Sequence, residues 1–532
     1  MKSIILLMAM PLLTLAQDPA IMWQFDMSDM AFGQAAAADV DNDGLLEVTF
    51  STYRNDGVLY MLNGEDGSTL WEADAGGCAD AAPLIYDVDQ DGDLEVVLAG
   101  SCNPTTYCFD ADSGFIQWQT PMRGSDSPIV TGDIDNDGKP EILHGEFGGY
   151  VLCLNGEDGS VVWELEVDVD SWIQTAPTFL DIDRDGQLDF IIATWSFYDN
   201  HIIAAYRGND AGELWVSEVP DDVIYHGVSY GDMDNDGTVE LVLGDYSGQV
   251  HCLNAADGTE KWSYELPSSP LYVGAPTSMG DINNDGFLEV VFNDWYRLGA
   301  LDHNGDLLWV YNIPGYGQSF RGAALADVNE DAYMDVTFCS SEGTVISLNG
   351  LDGSLIRSID LQADFGMNFG AEHGPLVADF NNDGVLDVFA AGGHAEYPAI
   401  ENNYGAAYMI SWGAGNGPDW AMFQRDYRRT ACVCNDSLLQ TTEPVAIAME
   451  LTVPDISVYP TLFVRELLLV GKEALPPLEL SLYNISGLLL YSQAFTGGDK
   501  KVIVTLPELP PAAYILRIQT AAGQSEQLLF RQ

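Results

Sequence analysis

One short acidic phrase returns eight times along this chain, and its spacing restricts the fold more than any other feature. The first copy reads DVDNDGLLEV, and the copies start at Asp39, Asp87, Asp133, Asp181, Asp232, Asp281, Asp327 and Asp379. Neighbouring copies are therefore 46 to 52 residues apart, a period that is typical of propellers, solenoids and other repeat architectures. We expect one large repeat domain within the 532 residues.

Each phrase places oxygen-bearing side chains at alternating positions. Positions 1, 3 and 5 are Asp or Asn, position 6 is Gly in every copy but the seventh, and position 9 is Asp or Glu. Position 7 varies freely, as expected of a ligand supplied by the backbone carbonyl. Hard oxygen ligands around a sharp glycine turn suit Ca²⁺. The predicted metal ligands, at positions 1, 3, 5, 7 and 9, are Asp39, Asp41, Asp43, Leu45, Glu47; Asp87, Asp89, Asp91, Asp93, Glu95; Asp133, Asp135, Asp137, Lys139, Glu141; Asp181, Asp183, Asp185, Gln187, Asp189; Asp232, Asp234, Asp236, Thr238, Glu240; Asp281, Asn283, Asp285, Phe287, Glu289; Asp327, Asn329, Asp331, Tyr333, Asp335; and Asp379, Asn381, Asp383, Val385, Asp387.

The phrases differ from EF-hand loops. An EF-hand carries Glu at position 12 between two helices, whereas position 12 here is never acidic and the following residues, such as LEVTF, are strand-like. We therefore predict calcium loops between strands, with metal-free, Asx-rich turns as the alternative. Up to eight Ca²⁺ are expected, and the 327–335 site is expected to be the weakest because Asn329 and Ala332 reduce its charge and its turn quality.

Each repeat also carries four strand signals. Small residues enter the acidic phrase, a second strand leaves it, and a third and a fourth flank a tight turn, as in LYMLNGEDGSTLW. The pattern predicts an all-β fold, an eight-bladed β-propeller of four-stranded blades, in which residues 20–27 supply the outer strand of the eighth blade. A solenoid is the alternative. We expect packing between blades for the tryptophans of the fourth strands, Trp71, Trp118, Trp163, Trp215, Trp262 and Trp309.

These repeats resemble two known families. The acidic loops are similar to the FG-GAP/VCBS calcium repeats of integrin-α-type propellers, and hairpins such as LNGEDGSTLW are similar to the repeats of PQQ-like propellers. DWAMFQRDYRRTACV, residues 419–433, resembles the segment that closes such propellers. The resemblance implies a calcium-binding propeller scaffold, and a scaffold does not specify an activity.

The two ends of the chain predict export. Residues 1–16 have the basic, apolar and small-residue order of a signal peptide, and no other run is long enough to span a membrane. We expect the propeller over 17–433, a linker over 434–454 and a small β-sandwich over 455–532. The tail segments VYPTLFVRELLL, LYNISG and YILRI resemble the C-terminal sorting domain of type IX secretion. That resemblance implies the type IX machinery as a partner and a secreted or cell-surface location in a Gram-negative bacterium.

Charge and cysteine content limit the partners and the covalent links. The formal net charge of -63 argues against nucleic acid and anionic membranes as partners. The excess belongs to the first 454 residues, since residues 455–532 hold seven acids and six bases. Among the eight cysteines, Cys78 and Cys102 are the expected disulfide pair, whereas Cys108, Cys153 and Cys252 recur at matching places in separate repeats and are expected to be buried.

The strand order puts the acidic loops on one face and predicts a ligand platform on the opposite face. Residues just before the inner strands should lie near the axial mouth, and aromatic residues between second and third strands should lie on the same rim. The candidate ligand-binding residues are Trp172, Trp195, Tyr198, His226, Trp295, Arg297, Arg321, Glu372 and His373. Carbohydrate or a surface protein is the expected ligand.

Catalysis is not favoured by the sequence. It contains no nucleophile motif, zinc spacing or phosphate loop, so we predict a binding or adhesion module without catalytic residues. The alternative is a calcium-dependent polysaccharide lyase, which needs a base and cations that hold uronates; His226, His373, Arg297 and Arg321 are its candidates. A PQQ dehydrogenase is less favoured, because the PQQ-like resemblance lies in structural hairpins.

Overall fold

The computed structural model describes most of the propeller region and part of the tail. It covers residues 18–422 except 54–56, 80, 197–201, 218, 221, 226 and 266–272, and it covers the tail strands between 456 and 531. The chain divides into two compact units, Met1–Thr442 and Glu443–Gln532. The predicted signal peptide and the predicted linker lie outside the described residues.

Eight antiparallel blades make up the first unit, and they confirm the predicted all-β propeller. The innermost strands are Ala36–Ala38, Leu84–Tyr86, Val130–Gly132, Thr178–Leu180, Ser229–Gly231, Ser278–Gly280, Ala324–Asp327 and Leu376–Ala378. The second strands are Glu47–Ser51, Glu95–Ala99, Glu141–Glu146, Asp189–Ala193, Glu240–Gly244, Glu289–Asp294, Asp335–Cys339 and Leu386–His394. The third strands are Val58–Asn63, Thr105–Asp110, Tyr150–Asn155, Ile203–Arg207, Gln249–Asn254, Arg297–Leu301, Thr344–Leu348 and Tyr404–Gly413. The outer strands are Thr69–Asp74, Ile116–Pro121, Val161–Glu166, Glu213–Ser217, Glu260–Glu265, Leu307–Asn312, Leu355–Asp360 and, for blade 8, Ala20–Met27.

Burial follows the position of a strand within its blade. The second strands of blades 1 to 7 are buried from end to end, because both of their faces pack against neighbouring blades, and they therefore read as continuous apolar runs. The outer strands are more exposed, as in Ile116–Pro121, where only Trp118 is buried. The core of the unit thus lies between the blades.

Indole hydrogen bonds tie blades 1 to 6 each to the next blade. Trp71 in blade 1 donates from Nε1 to the carbonyl of Ala111 in blade 2 at 2.7 Å. The same contact recurs from Trp118 to Gly156, Trp163 to Gly208, Trp215 to Ala255, Trp262 to His303 and Trp309 to Gly350, at 2.6 to 3.1 Å. In blade 7, Arg357 takes this place and donates to the carbonyls of Trp412 and Val328. The predicted packing role of these tryptophans is confirmed.

The ring closes with strands from both ends of the unit. Ala20–Met27 pairs antiparallel with Tyr404–Gly413 and forms the outer strand of blade 8, as predicted. Trp23 in this strand donates from Nε1 to Gly64 in blade 1 at 2.7 Å, which repeats the indole contact across the closing junction. Asn416–Trp420 then pairs with the innermost strand of blade 7. Residues 423–433 of the predicted closing segment lie outside the described residues.

Short helices and one disulfide organise the connecting loops. The helix Leu361–Phe365 follows blade 7, and 3₁₀ turns occupy Pro314–Tyr316 and Ile400–Asn402. The Cys78–Cys102 disulfide is confirmed, with 5.1 Å between the Cα atoms, and the repeat cysteines are buried thiols as expected. No helix within the described part of the chain is long and apolar enough to cross a membrane.

The described strands of the second unit form two sheets. One has the order Ile456–Tyr459, Glu466–Gly471, Lys501–Thr505, and the other has the order Leu462–Phe463, Gly523–Arg531, Ala513–Thr520, Leu478–Asn484, Leu489–Phe495. Leu480, Leu482 and Leu516 of the second sheet share a buried cluster with Val504 of the first. Both sheets therefore contribute to one core, and the β-sandwich and its sorting role stay predictions.

Candidate functional site

Backbone hydrogen bonds wrap each acidic loop around its carboxylates. In the first loop, Asp39 accepts from the amides of Asp43 and Gly44, both at 3.1 Å, and Asp43 accepts from the amide of Leu45 at 2.8 Å. Asn42 and Gly44 have φ values of 61° and 91°, which permits the sharp turn. The bond from the position-6 amide to the position-1 carboxylate recurs in all eight loops.

The carboxylate at position 9 is buried beneath each loop and is hydrogen-bonded to the start of the loop. It is at most 2% exposed in every blade and accepts from the position-2 amide at 2.8 to 3.3 Å. Burial, together with the neighbouring carboxylates, raises the pKa of Glu95, Glu141 and Glu289 to about 8. The same causes raise the pKa of Glu47 to about 7 and that of Asp189 to about 6. An ionised carboxylate in this place needs a nearby cation.

The oxygen atoms of the loops converge as a metal ligand set would. In loops 2 to 5, the carboxylates at positions 1, 3 and 9 offer oxygens within 4.8 Å of one another, and in loop 1 those at positions 1, 3 and 5 do so. Asp87 Oδ1 and Asp387 Oδ1 are buried without a hydrogen-bond partner. An all-oxygen donor set with such unpartnered atoms fits Ca²⁺.

The seventh loop keeps the common backbone despite its alanine. Ala332 has a φ of 71°, and its amide donates to Asp327 at 2.9 Å, like the glycines of the other loops. A non-glycine residue in this conformation is strained. The expected weakness of the site therefore rests on this strain and on the neutral Asn329, and it stays a prediction.

The fifth loop contains a feature that the sequence reasoning missed. Lys261, on the outer strand of the same blade, places Nζ 2.7 Å from Glu240 Oε1 and 3.2 Å from Asp234 Oδ2. Asp234 and Glu240 both belong to the converging carboxylates of this loop, so the ammonium pairs with two of the residues that would hold a metal ion. The sequence does contain a sign of this contact, because a lysine directly precedes the outer-strand tryptophan in this blade. The residues at the same place in the other tryptophan-bearing blades carry no positive charge: Leu70, Gln117, Val162, Leu214 and Leu308.

Side chains at position 4 connect neighbouring loops. Gln90 Nε2 donates to the position-6 carbonyl of the third loop at 2.7 Å. Equivalent bonds run from Asn136 to the fourth loop at 3.2 Å, from Arg184 to the fifth at 2.9 Å and from Asn284 to the seventh at 2.6 Å. The turn of each accepting loop is therefore held by a side chain from the preceding loop. The acidic loops of this face form a hydrogen-bonded series.

An aromatic cavity of about 410 Å³ opens on the opposite face. Its lining residues come from the inner-strand approaches and the rim loops of several blades: Phe32, Trp172, Gln174, Trp195, Tyr225, Tyr246, Gly274, Phe320, Arg321 and Glu372. The rings of Trp172 and Trp195 stack with centroids 5.2 Å apart, and their backbones exchange two hydrogen bonds of 2.8 Å. The structure thus brings together four sequence-predicted residues, Trp172, Trp195, Arg321 and Glu372.

Charged groups lie in the wall of this cavity and directly behind it. Gln174, on the cavity wall, donates to Asp126 Oδ2 at 3.0 Å, and Ser101 donates to Asp126 Oδ1. Burial raises the pKa of Asp126 and of Glu372, while the positive charge of Arg321 acts on both carboxyl groups in the opposite direction. The positive charge of Arg321 therefore acts on both carboxyl groups.

Other predicted ligand residues lie elsewhere. His373 is buried, with Nδ1 2.7 Å from the carbonyl of Gly374, and does not line the cavity. Arg297 pairs with Asp294 at 2.6 Å, and neither it nor Trp295 lines the cavity. Tyr198 and His226 lie outside the described residues.

A second cavity of about 370 Å³ adjoins the first. It is lined by Phe32, Tyr53, Ala395, Glu396, Tyr397, Ile400 and Asn403, so Phe32 belongs to both cavities. Sequence reasoning missed Phe32, Gln174 and Phe320. The sequence could have indicated these three residues, because each precedes an innermost strand by a few residues, as Trp172 and Arg321 do.

The fold and the repeat hairpins define the class of protein. The chain belongs to the PQQ_2 family, described as outer membrane protein assembly factor BamB, whose model matches residues 15–176 and 198–422. A curated relative, the outer membrane protein assembly factor BamB of Alkalilimnicola ehrlichii, is 27% identical over 99 residues, or 19% of this chain. The match spans only 24% of that relative's length.

Solved structures show the same fold at low sequence identity. The V. cholerae biofilm matrix protein Bap1 has a TM-score of 0.55 at 15% identity, covering 76% of this chain and 94% of that one. A europium-containing methanol dehydrogenase has a TM-score of 0.54 at 13% identity, covering 74% and 93%. Quinohemoprotein alcohol dehydrogenase from Comamonas testosteroni has a TM-score of 0.52 at 12% identity, covering 75% and 77%. At these identities the likeness concerns the fold alone.

Proposed function

We propose that this protein is a secreted or cell-surface propeller that is stabilised by calcium and binds a carbohydrate or protein ligand in its axial cavity. The aromatic cavity opposite the acidic loops carries the proposal, because stacked indoles and tyrosines offer large, rigid contact area to a ligand. A structural neighbour is a biofilm matrix protein, which is consistent with an extracellular binding role.

Calcium and the cavity have separate roles in this proposal. The acidic loops join the innermost and second strands of each blade, so bound Ca²⁺ would hold these two strands of the blade together. The cavity lies on the other face and needs no metal ligand. The tail, which resembles a sorting domain, would carry the chain through a type IX-like system to the surface.

A glycan and protein-fragment array, probed with and without calcium, tests the binding role. Trp195→Ala removes one of the stacked indoles and should weaken binding of any hit by about 1–3 kcal/mol, with little change in melting temperature. Phe115→Ala, at a residue 76% exposed on the outer edge of a blade, is the matched control. Equal binding by both variants and the parent would contradict a ligand site in the cavity.

A further inference from the structure

The charges around the two adjoining cavities are unbalanced. Among their described lining residues, Arg321 is the only cationic one, whereas Glu372 and Glu396 are both acidic. Asp126 adds a third carboxyl group directly behind Gln174. The same unit carries most of the negative charge of the chain, which favours the approach of cations.

Arg321 is poorly placed to bind an anionic ligand. Arg321 and Glu372 line the same cavity, and the positive charge of Arg321 acts on the carboxyl groups of Glu372 and of Asp126, which accepts a hydrogen bond from Gln174 of the cavity wall. A ligand carboxylate would add a third negative group to one positive charge, and like charges brought together at a binding site are costly. Both carboxyl groups are partly buried, and in their ionised form they are stabilised by a further positive charge nearby, since buried charges need partners.

The aromatic walls complement a positive group as well as a sugar ring. Trp172, Trp195, Tyr225 and Tyr246 surround the first cavity, and the faces of such rings attract ammonium groups at distances of about 6 Å. Phe32 lines both this cavity and the second, and it packs edge-on against Tyr53 of the second cavity, with centroids 5.0 Å apart. A chain-like ligand can therefore extend from one cavity into the other.

We propose that the ligand is a basic oligosaccharide, a chain of amino sugars whose protonated amines face Glu372 and Glu396 while its rings stack on the aromatic walls. This inference rests on the proposed binding function. It differs from a uronate ligand, which the same cavity would repel.

Calorimetric titration of the full-length protein with four defined probes tests the proposal: glucosamine oligomers, N-acetylglucosamine oligomers, oligogalacturonate and oligolysine. Glucosamine oligomers should bind at least about tenfold tighter than the acetylated oligomers. Their affinity should fall when salt rises from about 0.01 M to about 0.15 M, because the screening length falls from about 30 Å to about 8 Å. Oligogalacturonate should not bind.

Two matched variants locate the effect. Glu372→Gln should weaken glucosamine-oligomer binding about tenfold or more, and Glu342→Gln, which changes an exposed carboxylate on the same face outside both cavities, should not. Equal affinity for charged and acetylated oligomers would overturn the amine while leaving the binding function intact. Tighter binding of oligolysine would overturn the glycan in favour of a protein ligand. Failure of every probe, together with an empty array, would overturn the binding function itself.

Discussion

Raising the pH should destabilise the calcium-stripped propeller, and calcium should remove that dependence. Burial raises the pKa of Glu141 from 4.5 to about 8. Because the folded-state pKa lies above the unfolded one, the bound proton stabilises the fold fully below pH 4.5, and this stabilisation is lost as the pH rises through about 8. Bound calcium would replace the proton, so the ionised carboxylate would no longer cost stability.

The magnitude follows from the size of the shift. One pKa unit corresponds to about 1.4 kcal/mol. If the whole rise in the pKa of Glu141 is felt by the fold, the free energy of unfolding falls by about 3 kcal/mol between pH 5 and pH 8. Seven of the eight position-9 carboxylates have a raised pKa. If water entry reduces the loss of stability at each carboxylate by about two thirds, the seven carboxylates together still lower the free energy of unfolding by about 7 kcal/mol. This is within the ~5–15 kcal/mol that separates folded from unfolded states.

The assay is thermal and denaturant unfolding from pH 5 to pH 8, with calcium-stripped and calcium-loaded protein. Glu141→Gln should stabilise the stripped protein at pH 8, because the amide cannot ionise, and should destabilise the loaded protein by removing a ligand. Glu240→Gln is the matched control, since Lys261 already pairs with that carboxylate at 2.7 Å. A stripped protein with the same stability at pH 5 and pH 8, or a Glu141→Gln variant that is weaker in both states, would refute this reasoning.

Three further outcomes follow from the structure. Lys261→Met should raise the number of bound Ca²⁺ per chain by one in elemental analysis after equilibrium dialysis, whereas Lys139→Met, at another acidic loop, should leave it unchanged; an unaltered count would mean that the ammonium does not exclude the metal. Trp118→Phe removes the donor to the carbonyl of Gly156 and should lower the free energy of unfolding by about 1–3 kcal/mol, and no loss in denaturant titration would argue against the interblade bond. Deletion of residues 455–532 should stop export but leave a folded propeller, as judged by cell fractionation and circular dichroism, and normal surface delivery of the shortened chain would rule out a sorting tail.

Features that depend on local spacing were predictable from the sequence. The acidic phrase at a regular period specifies the number of blades, and the hairpin turns specify the order of strands within each blade. The tryptophan in Ala20–Met27 indicated the closing strand, because it repeats the outer-strand pattern before the first blade instead of after the eighth. Trp172 and Arg321 could be placed near the axial mouth, since residues before innermost strands converge there.

Only the tertiary structure decided which of these residues meet. Lys261 reaches Glu240 because their strands lie in one sheet, although 21 residues separate them in the chain. The positive charge of Arg321 acts on the Asp126 carboxyl group from a different blade, while His373, which the same spacing rule favoured, is buried and does not line the cavity. The backbone pattern of a repeat determines where the Cα atom of a residue lies in its blade. The contacts of its side chain also depend on the direction of that side chain and on neighbours from distant parts of the chain.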